Sequence, residues 1–255
     1  MERENSIRSI SRSISVLRTI NHHGSLPMMA IAREEGLPYP TAFRIVQTLV
    51  NEGLIVQEPQ RKHYRATALV QSLASGYKAE GNLLDAVGLP IRTLTQQVGW
   101  PAFVTTRVGP QMVVCDATHA HTTLTFALCH PGFAVPLLYS ATGQACLANA
   151  DPEEADDLIR WALIGSGGGQ YGDEAADLAR TIQQIRALGY AAKACMNNSP
   201  NRSASIAVPI LKDGQVEAVL TLVYFHSALR QSDAIDRYLG SIKATAEQIS
   251  GRLVH

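Results

Sequence analysis

Three short apolar runs at helical spacing, each ended by a glycine, fill positions 10–53, and no other feature restricts the fold so strongly. From Ile10 the run Ile14, Leu17, Ile20 predicts a first helix stopped at Asn21-His22-His23-Gly24. Ser25 is the expected N-cap of a second, with Pro27 in its first turn, Met28, Ile31 and Ala32 on its inner face and Gly36 past its end. Gly36-Leu37-Pro38 forces a turn. Ala42, Ile45, Val46, Leu49 and Val50 then follow the i, i+3, i+4, i+7, i+8 pattern of a third helix, with Pro40 near its start and Gly53 after it.

The outer side of that third helix is unusual. Where Glu and Lys would be ordinary, it carries Tyr39, Thr41, Arg44, Gln47 and Thr48. Beyond Gly53, Leu54 and Val56 alternate with polar neighbours, Glu58-Pro59-Gln60 breaks the run, and 62–66 resumes it, which predicts a hairpin tipped by Arg61, Lys62, His63 and Arg65. Helix, helix, turn, helix and wing is a DNA-binding order in which the last helix enters the major groove. Arg suits guanine, Gln suits adenine and a Thr methyl meets thymine, so these side chains are the candidates for base contact. Arg8, Arg12 and the wing cations Arg61, Lys62 and Arg65 would hold phosphates of double-stranded operator DNA. A solvated helix face on a protein-interaction module is the plainer alternative.

Charge agrees with the first reading. Residues 1–80 hold 10 basic and 7 acidic side chains, a net of +3, whereas 81–255 hold 12 and 15, a net of −3. No apolar run approaches the roughly 18 residues of a membrane span, and the polar start MERENSIRSISRS lacks a signal peptide's apolar region, so a cytoplasmic protein is expected. Cys115, Cys129, Cys146 and Cys195 show no C-x-x-C spacing and are expected as reduced thiols.

In 67–81, Leu69, Leu73 and Tyr77 predict a linker helix capped by Thr67, which divides the chain into 1–66, 67–81 and 82–255. Helices are expected over 84–98, 153–163, 173–188 and 232–253. Strands are expected over 102–108, 112–117 and 122–128, with a hairpin of 203–211 and 215–225 around Asp213-Gly214. The fold class is α+β, an antiparallel sheet flanked by helices.

Ser9-Ile10-Ser11-Arg12, the Gly36-Leu37-Pro38 turn, Arg44, Leu49, Glu52-Gly53-Leu54 and Tyr64-Arg65 resemble the winged helix-turn-helix of IclR-family transcriptional regulators. Residues 136–143 (PLLYSATG), Leu188-Gly189-Tyr190 and 205–210 (SIAVPI) resemble that family's GAF-like effector domain. The resemblance covers nearly the whole chain and implies a homo-oligomer, a dimer or dimer of dimers, that answers a small organic acid. Trp100-Pro101, Met112-Val113-Val114, Ala117-Thr118-His119, 205–209 and Leu222-Val223-Tyr224 are most similar to regulators of hydroxyphenylpropionate catabolism, which implies an aromatic acid and a catabolic operon. Between Tyr190 and Ser205 the chain departs from the family: many members carry an acidic cluster, and here the residues are Ala191-Ala192-Lys193-Ala194-Cys195-Met196-Asn197-Asn198.

The resemblance places the effector against the loop Ser140-Ala141-Thr142-Gly143 and against Ser205 and Thr221, with Trp100, Phe103, Phe126, Phe133 and Tyr139 as an aromatic wall. Arg202, Arg107 and His130 are the candidate counter-charges. Two other chemistries are open: a metal switch through His119, His121, Cys129 and His130, and catalysis by Cys129 and His130. No nucleophile elbow or triad context accompanies them, and Gly165-Ser166-Gly167-Gly168-Gly169 lacks the Lys-Ser/Thr end of a phosphate loop, so neither an enzyme nor a cofactor is expected.

Overall fold

The computed structural model describes residues 7–74, 76, 82–124, 129–165, 171–194 and 203–253. The chain divides into two compact units, Met1–Lys78 and Ala79–His255. No helix among the described residues is long and apolar enough to cross a membrane.

In the first unit, α1 is Arg8–His23, β1 Leu26–Pro27, α2 Met28–Glu34, α3 Tyr39–Asn51, β2 Ile55–Gln57 and β3 His63–Ala66. Val16 and Ile20 of α1, Ile31 of α2, Val46 of α3 and Tyr64 of β3 meet in one core. Two glycines set its corners. Gly36 and Gly53 lie at φ 59° and 73°, where a side chain would be strained. Each closes a helix with the paired bonds of a Schellman motif: Leu37 N to Ala32 O and Gly36 N to Arg33 O, then Leu54 N to Leu49 O and Gly53 N to Val50 O.

The start of α2 differs from expectation. Ser25 does not cap it, because Leu26 and Pro27 form a strand paired with Tyr64 and His63, and Pro27 is the N-cap. The wing is therefore three-stranded, in the order β1-β3-β2. Pro27 lacks the N–H that a ladder needs, which an edge strand tolerates. In the linker stretch, a 3-10 helix runs over Ala68–Leu73 with the Thr67 hydroxyl accepting from Leu69 N, and residues 75 and 77–81 lie outside the described part.

In the second unit, α4 is Leu83–Val98, β4 Ala102–Val108, β5 Gln111–Ala117, β6 Ala134–Pro136, α5 Ala141–Asn149, α6 Pro152–Gly165, α7 Tyr171–Leu188, β7 Ala191–Ala194, β8 Ser203–Lys212, β9 Gln215–Phe225 and α8 Gln231–Leu253. The six strands form one antiparallel sheet, β6-β5-β4-β9-β8-β7. Period-two alternation gives the sheet two apolar faces. Ala102, Val104, Ile206, Val208, Leu220 and Leu222 meet Ile91 of α4 and Ile242 of α8 on one. Met112, Ala191, Ala207 and Val219 meet α5, α6 and α7 on the other. Asp213 and Gly214 both have positive φ, 51° and 80°, as the tight β8–β9 turn requires.

Three elements lay outside the sequence expectation. β6 and β7 are short edge strands of three and four residues. The stretch 140–143, expected as a loop, is instead the cap and first turn of α5: Ser140 Oγ accepts from Gly143 N at 2.9 Å. The expected strand 122–128 does not form over 122–124, and 125–128 lie outside the described residues.

Gly143 sits so close to Leu137 that an added Cβ would collide with its carbonyl and its Cα. Gly143→Ala is expected to cost more than about 3 kcal/mol, the range of backbone strain and overpacking. Thermal denaturation of the full chain checks it, by a melting temperature lowered by roughly 6 °C or more.

Candidate nucleic-acid interface and effector face

The apolar stripe of α3 turns Ala42, Ile45, Val46 and Leu49 into the core, so its other side faces outward. Tyr39, Arg44 and Thr48 are exposed there and Thr41 and Gln47 are half-buried. Phe43, which the sequence reading passed over, is also exposed and stacks on Tyr39 with ring centroids 6.2 Å apart. An aromatic four residues on from Tyr39, on the helix's solvent flank, was the signal for it. Gln47 is tied down: its side chain hydrogen-bonds Tyr64, whose hydroxyl pKa is raised by burial and by the neighbouring Tyr39, and lowered by that hydrogen bond. An amide already engaged with the wing is a poorer reader of adenine than the bare sequence suggests.

Thr41, Arg44 and Thr48 face Ser9, Arg12 and Ser13 of α1 across a groove of about 680 Å³. Among the described residues, Arg8, Arg12, Arg44, Arg61 and Lys62 form no ion pair, whereas Arg65 pairs with Glu58 at 3.6 Å. Lys62 stands at φ 54° in the wing's turn. Arg12 and Arg44, with the hydroxyls of Ser9, Ser13, Thr41 and Thr48 and no carboxylate among the lining residues, give this groove the character of a polyanion surface.

In the second unit, strand register decides which side chains meet. Ala191, Ala207, Thr221, Phe103 and Ala117 form one row across the sheet, and Lys193, Ser205 and Val223 form the adjacent one. Both rows lie on the face that α5 covers, since Ala191 and Ala207 belong to its core. Thr142 of α5 reaches down to Thr221, their hydroxyls 2.9 Å apart and both buried. Phe103, Val114, Cys129 and Val223 cluster beside them, with Phe133 packed against the group. A shift in register after Val104 pairs Thr105 with Val114, so that Thr105, Val114 and Phe103 share this face.

The expected effector residues separate accordingly. Phe103, Phe133, Thr142, Ser205 and Thr221 are brought to one face, and Ala141 is buried in the α5 core beside it. Trp100 is not: it packs with Tyr224 and Phe225 in the α4–α8 core, on the far side of the sheet, because it precedes β4 out of phase with Phe103. Tyr139 is exposed on the turn before α5. Phe126 and Arg202 lie outside the described residues. Of the remaining candidate counter-charges, Arg107 is held by Glu154 at 2.5 Å, and His130 contacts Phe133 and the Pro131 carbonyl.

His119 and His121, two of the candidate metal ligands, lie in a 3-10 turn over residues 119–121. His119 stacks on Phe103 with centroids 6.4 Å apart, while His121 is exposed. Burial holds the His119 imidazole below its usual pKa, toward the neutral ring. No group of three or more His, Cys, Asp or Glu side chains among the described residues is placed to hold a metal ion. Burial also raises the Cys115 thiol and pushes Cys146 up to about 11, the reverse of an activated nucleophile.

A winged helix-turn-helix with an outward cationic helix, joined in one chain to a helix-flanked antiparallel sheet, defines a class of DNA-binding regulators. The model of the IclR helix-turn-helix domain matches residues 9–59, and that of the bacterial transcriptional regulator IclR C-terminal domain matches 77–251. The chain therefore belongs to the IclR family of bacterial transcriptional regulators. It is 25% identical over 230 residues, 89% of this chain and 80% of the relative, to the HTH-type transcriptional regulator BhcR of Paracoccus denitrificans. Among solved structures, an IclR family transcriptional regulator from Brucella abortus superposes with a TM-score of 0.67 at 20% identity, over 99% of this chain and 94% of that one. An IclR homolog from Microbacterium hydrocarbonoxydans, complexed with 4-hydroxybenzoate, gives 0.66 at 21% identity over 96% and 98%.

The Thr142–Thr221 pair yields a test of how α5 is seated. Thr142→Val keeps the volume but strands the Thr221 hydroxyl, at an expected cost of about 1–3 kcal/mol. The double substitution with Thr221→Val is expected to recover most of that loss, since removing both partners leaves no orphaned group. Urea denaturation of the three variants measures the coupling.

Proposed function

We propose that α3 reads operator bases with Arg44 and Thr48 at the centre, that Arg8, Arg12, Arg61 and Lys62 hold phosphates, and that the Thr221 face of the second unit binds a small aromatic acid. Residues 1–66 then serve as the DNA-binding domain, 67–81 as the link and 82–255 as the effector domain. The observation that carries the DNA half is the outer side of α3, where the Arg44 guanidinium is exposed and forms no ion pair among the described residues. Solvated helix faces usually place acids there too, and a phosphate-lined groove repels them.

Support for the effector half comes from three sides. Phe103 and Phe133 supply apolar ring surface, Ser205 supplies a partly exposed hydroxyl on the same face, and the Microbacterium relative was solved with an aromatic acid. The segments that resemble hydroxyphenylpropionate regulators include Ala117-Thr118-His119 and Leu222-Val223-Tyr224, which border this face. Control of an aromatic catabolic operon follows. The ligand acts by its unequal affinity for DNA-competent and incompetent states, and a two-fold homo-oligomer presents paired reading helices to paired half-sites.

Fluorescence anisotropy with DNA from upstream of the chain's own gene tests the assignment of roles. Arg44→Ala is expected to weaken binding about 10- to 100-fold and to relax selectivity at one base pair. Arg12→Ala is expected to weaken all sequences alike and to lower the salt slope by about 1. Undiminished binding by Arg44→Ala would remove α3 from base readout.

A further inference from the structure

The face that carries Thr221 holds two buried polar side chains without hydrogen-bond partners among the described residues. Thr105 is fully buried on it, and its hydroxyl has no hydrogen-bond partner among the described residues. His119, stacked on Phe103, has both ring nitrogens buried and unpartnered among the described residues. Folded proteins pair nearly all such groups; Tyr224 Oη is a further orphan in the opposite core, and on the Thr221 face Thr105 Oγ1 and the two His119 nitrogens are places where a ligand can supply the missing bonds.

A cation stands at the opposite end of the same face. Lys193 pairs with Ser205 across β7 and β8, and Ser205 pairs with Val223, so all three project to the side of Phe103 and Thr221. Ala192 and Ala194, on either side of it in β7, pack against the other core and confirm the alternation. Lys193 is half-buried and forms no ion pair among the described residues. Sequence reasoning did not find it because β7 itself was not predicted. From β7 to β4 there are three strand steps, about 14 Å between backbones at the usual spacing. A short oxo-acid meets one end of such a strip. An aromatic ring carrying a carboxylate on one side and a hydroxyl on the other meets both.

We infer that Lys193 binds the effector's carboxylate and that His119, at the other end, hydrogen-bonds a hydroxyl on the effector's ring, so that the ligand is a hydroxylated aromatic acid. This rests on the effector-face reading above and specifies its polar contacts. The lowered pKa of His119 fits a neutral ring that donates from one nitrogen and accepts at the other. Lys193 in turn supplies the charge that Arg107, bound to Glu154, cannot.

Isothermal titration of the full-length protein with four probes tests it: 3-(4-hydroxyphenyl)propionate, its carboxamide, 3-phenylpropionate and glyoxylate. The hydroxylated acid is expected to bind at least about tenfold more tightly than either the carboxamide or the unhydroxylated acid, the ratio of one charge-assisted or one buried hydrogen bond. Lys193→Met is expected to erase the acid-over-amide preference while leaving carboxamide affinity in place, which also shows that the variant is folded. Lys193→Arg is expected to restore the preference. His119→Phe keeps the stack on Phe103 and is expected to erase only the preference for the hydroxyl. An unchanged acid-over-amide ratio in Lys193→Met, or glyoxylate as the tightest ligand, overturns the inference and leaves the effector face standing. Wild-type protein that binds none of the four overturns both.

Discussion

Everything in the second unit depends on the register of β9 between β4 and β8. Leu222 opposes Ala102 and Ile206, and Thr221 opposes Phe103 and Ala207, so a single alternation sends one set of side chains to α4 and α8 and the other to α5. A slip of one residue would exchange the sets and bury Thr221 where Leu222 belongs. The two-residue turn at Asp213-Gly214, left-handed at both positions, pairs Lys212 with Gln215 and Leu211 with Val216, and a one-residue shift between Leu211 and Ile210 then sets the register that brings Ala207 opposite Thr221. Thr142 reads the register from above through its bond to Thr221.

Much of this was legible in the sequence, for stated physical reasons. The α3 stripe and the β8–β9 hairpin were plain because their periodicities run for three turns or ten residues beside strong turn residues. β7 was not legible, since Ala191-Ala192-Lys193-Ala194 has neither alternation nor β-branched residues, and its strand state comes from pairing with β8. α5 was missed for the opposite reason. Nearly all its residues are buried, so it has almost no polar face to mark a helical period, and Ser140-Ala141-Thr142-Gly143 reads as a loop.

The candidate site was legible only where one strand could be phased against another. Phe103, Ser205 and Thr221 came out together because their strands were found with nearly correct bounds. Trp100 was misplaced for want of one more piece of information, the side of the sheet on which the chain enters β4. Lys193 and the stacking of His119 needed the fold itself, the first to supply a strand and the second to supply the 3-10 turn that brings its ring onto Phe103. In the first unit, Gln47 shows that an outward position on a helix is not a free one, since Tyr64 from β3 reaches it.

The pairing of Leu26 with Tyr64 and of Pro27 with His63 has a bearing on how the reading head tolerates change. Because β1 lies between α1 and α2, the spacing from Gly24 to Met28 is locked to the wing's own ladder. Lengthening that connection by one residue would turn Leu26 out of the core or break the ladder, whereas the wing's tip around Arg61 lies beyond the paired residues and is free to vary in length. Natural variation in this unit should therefore concentrate its insertions at the tip, where the length of the wing can be altered without disturbing the ladder or the seating of α3.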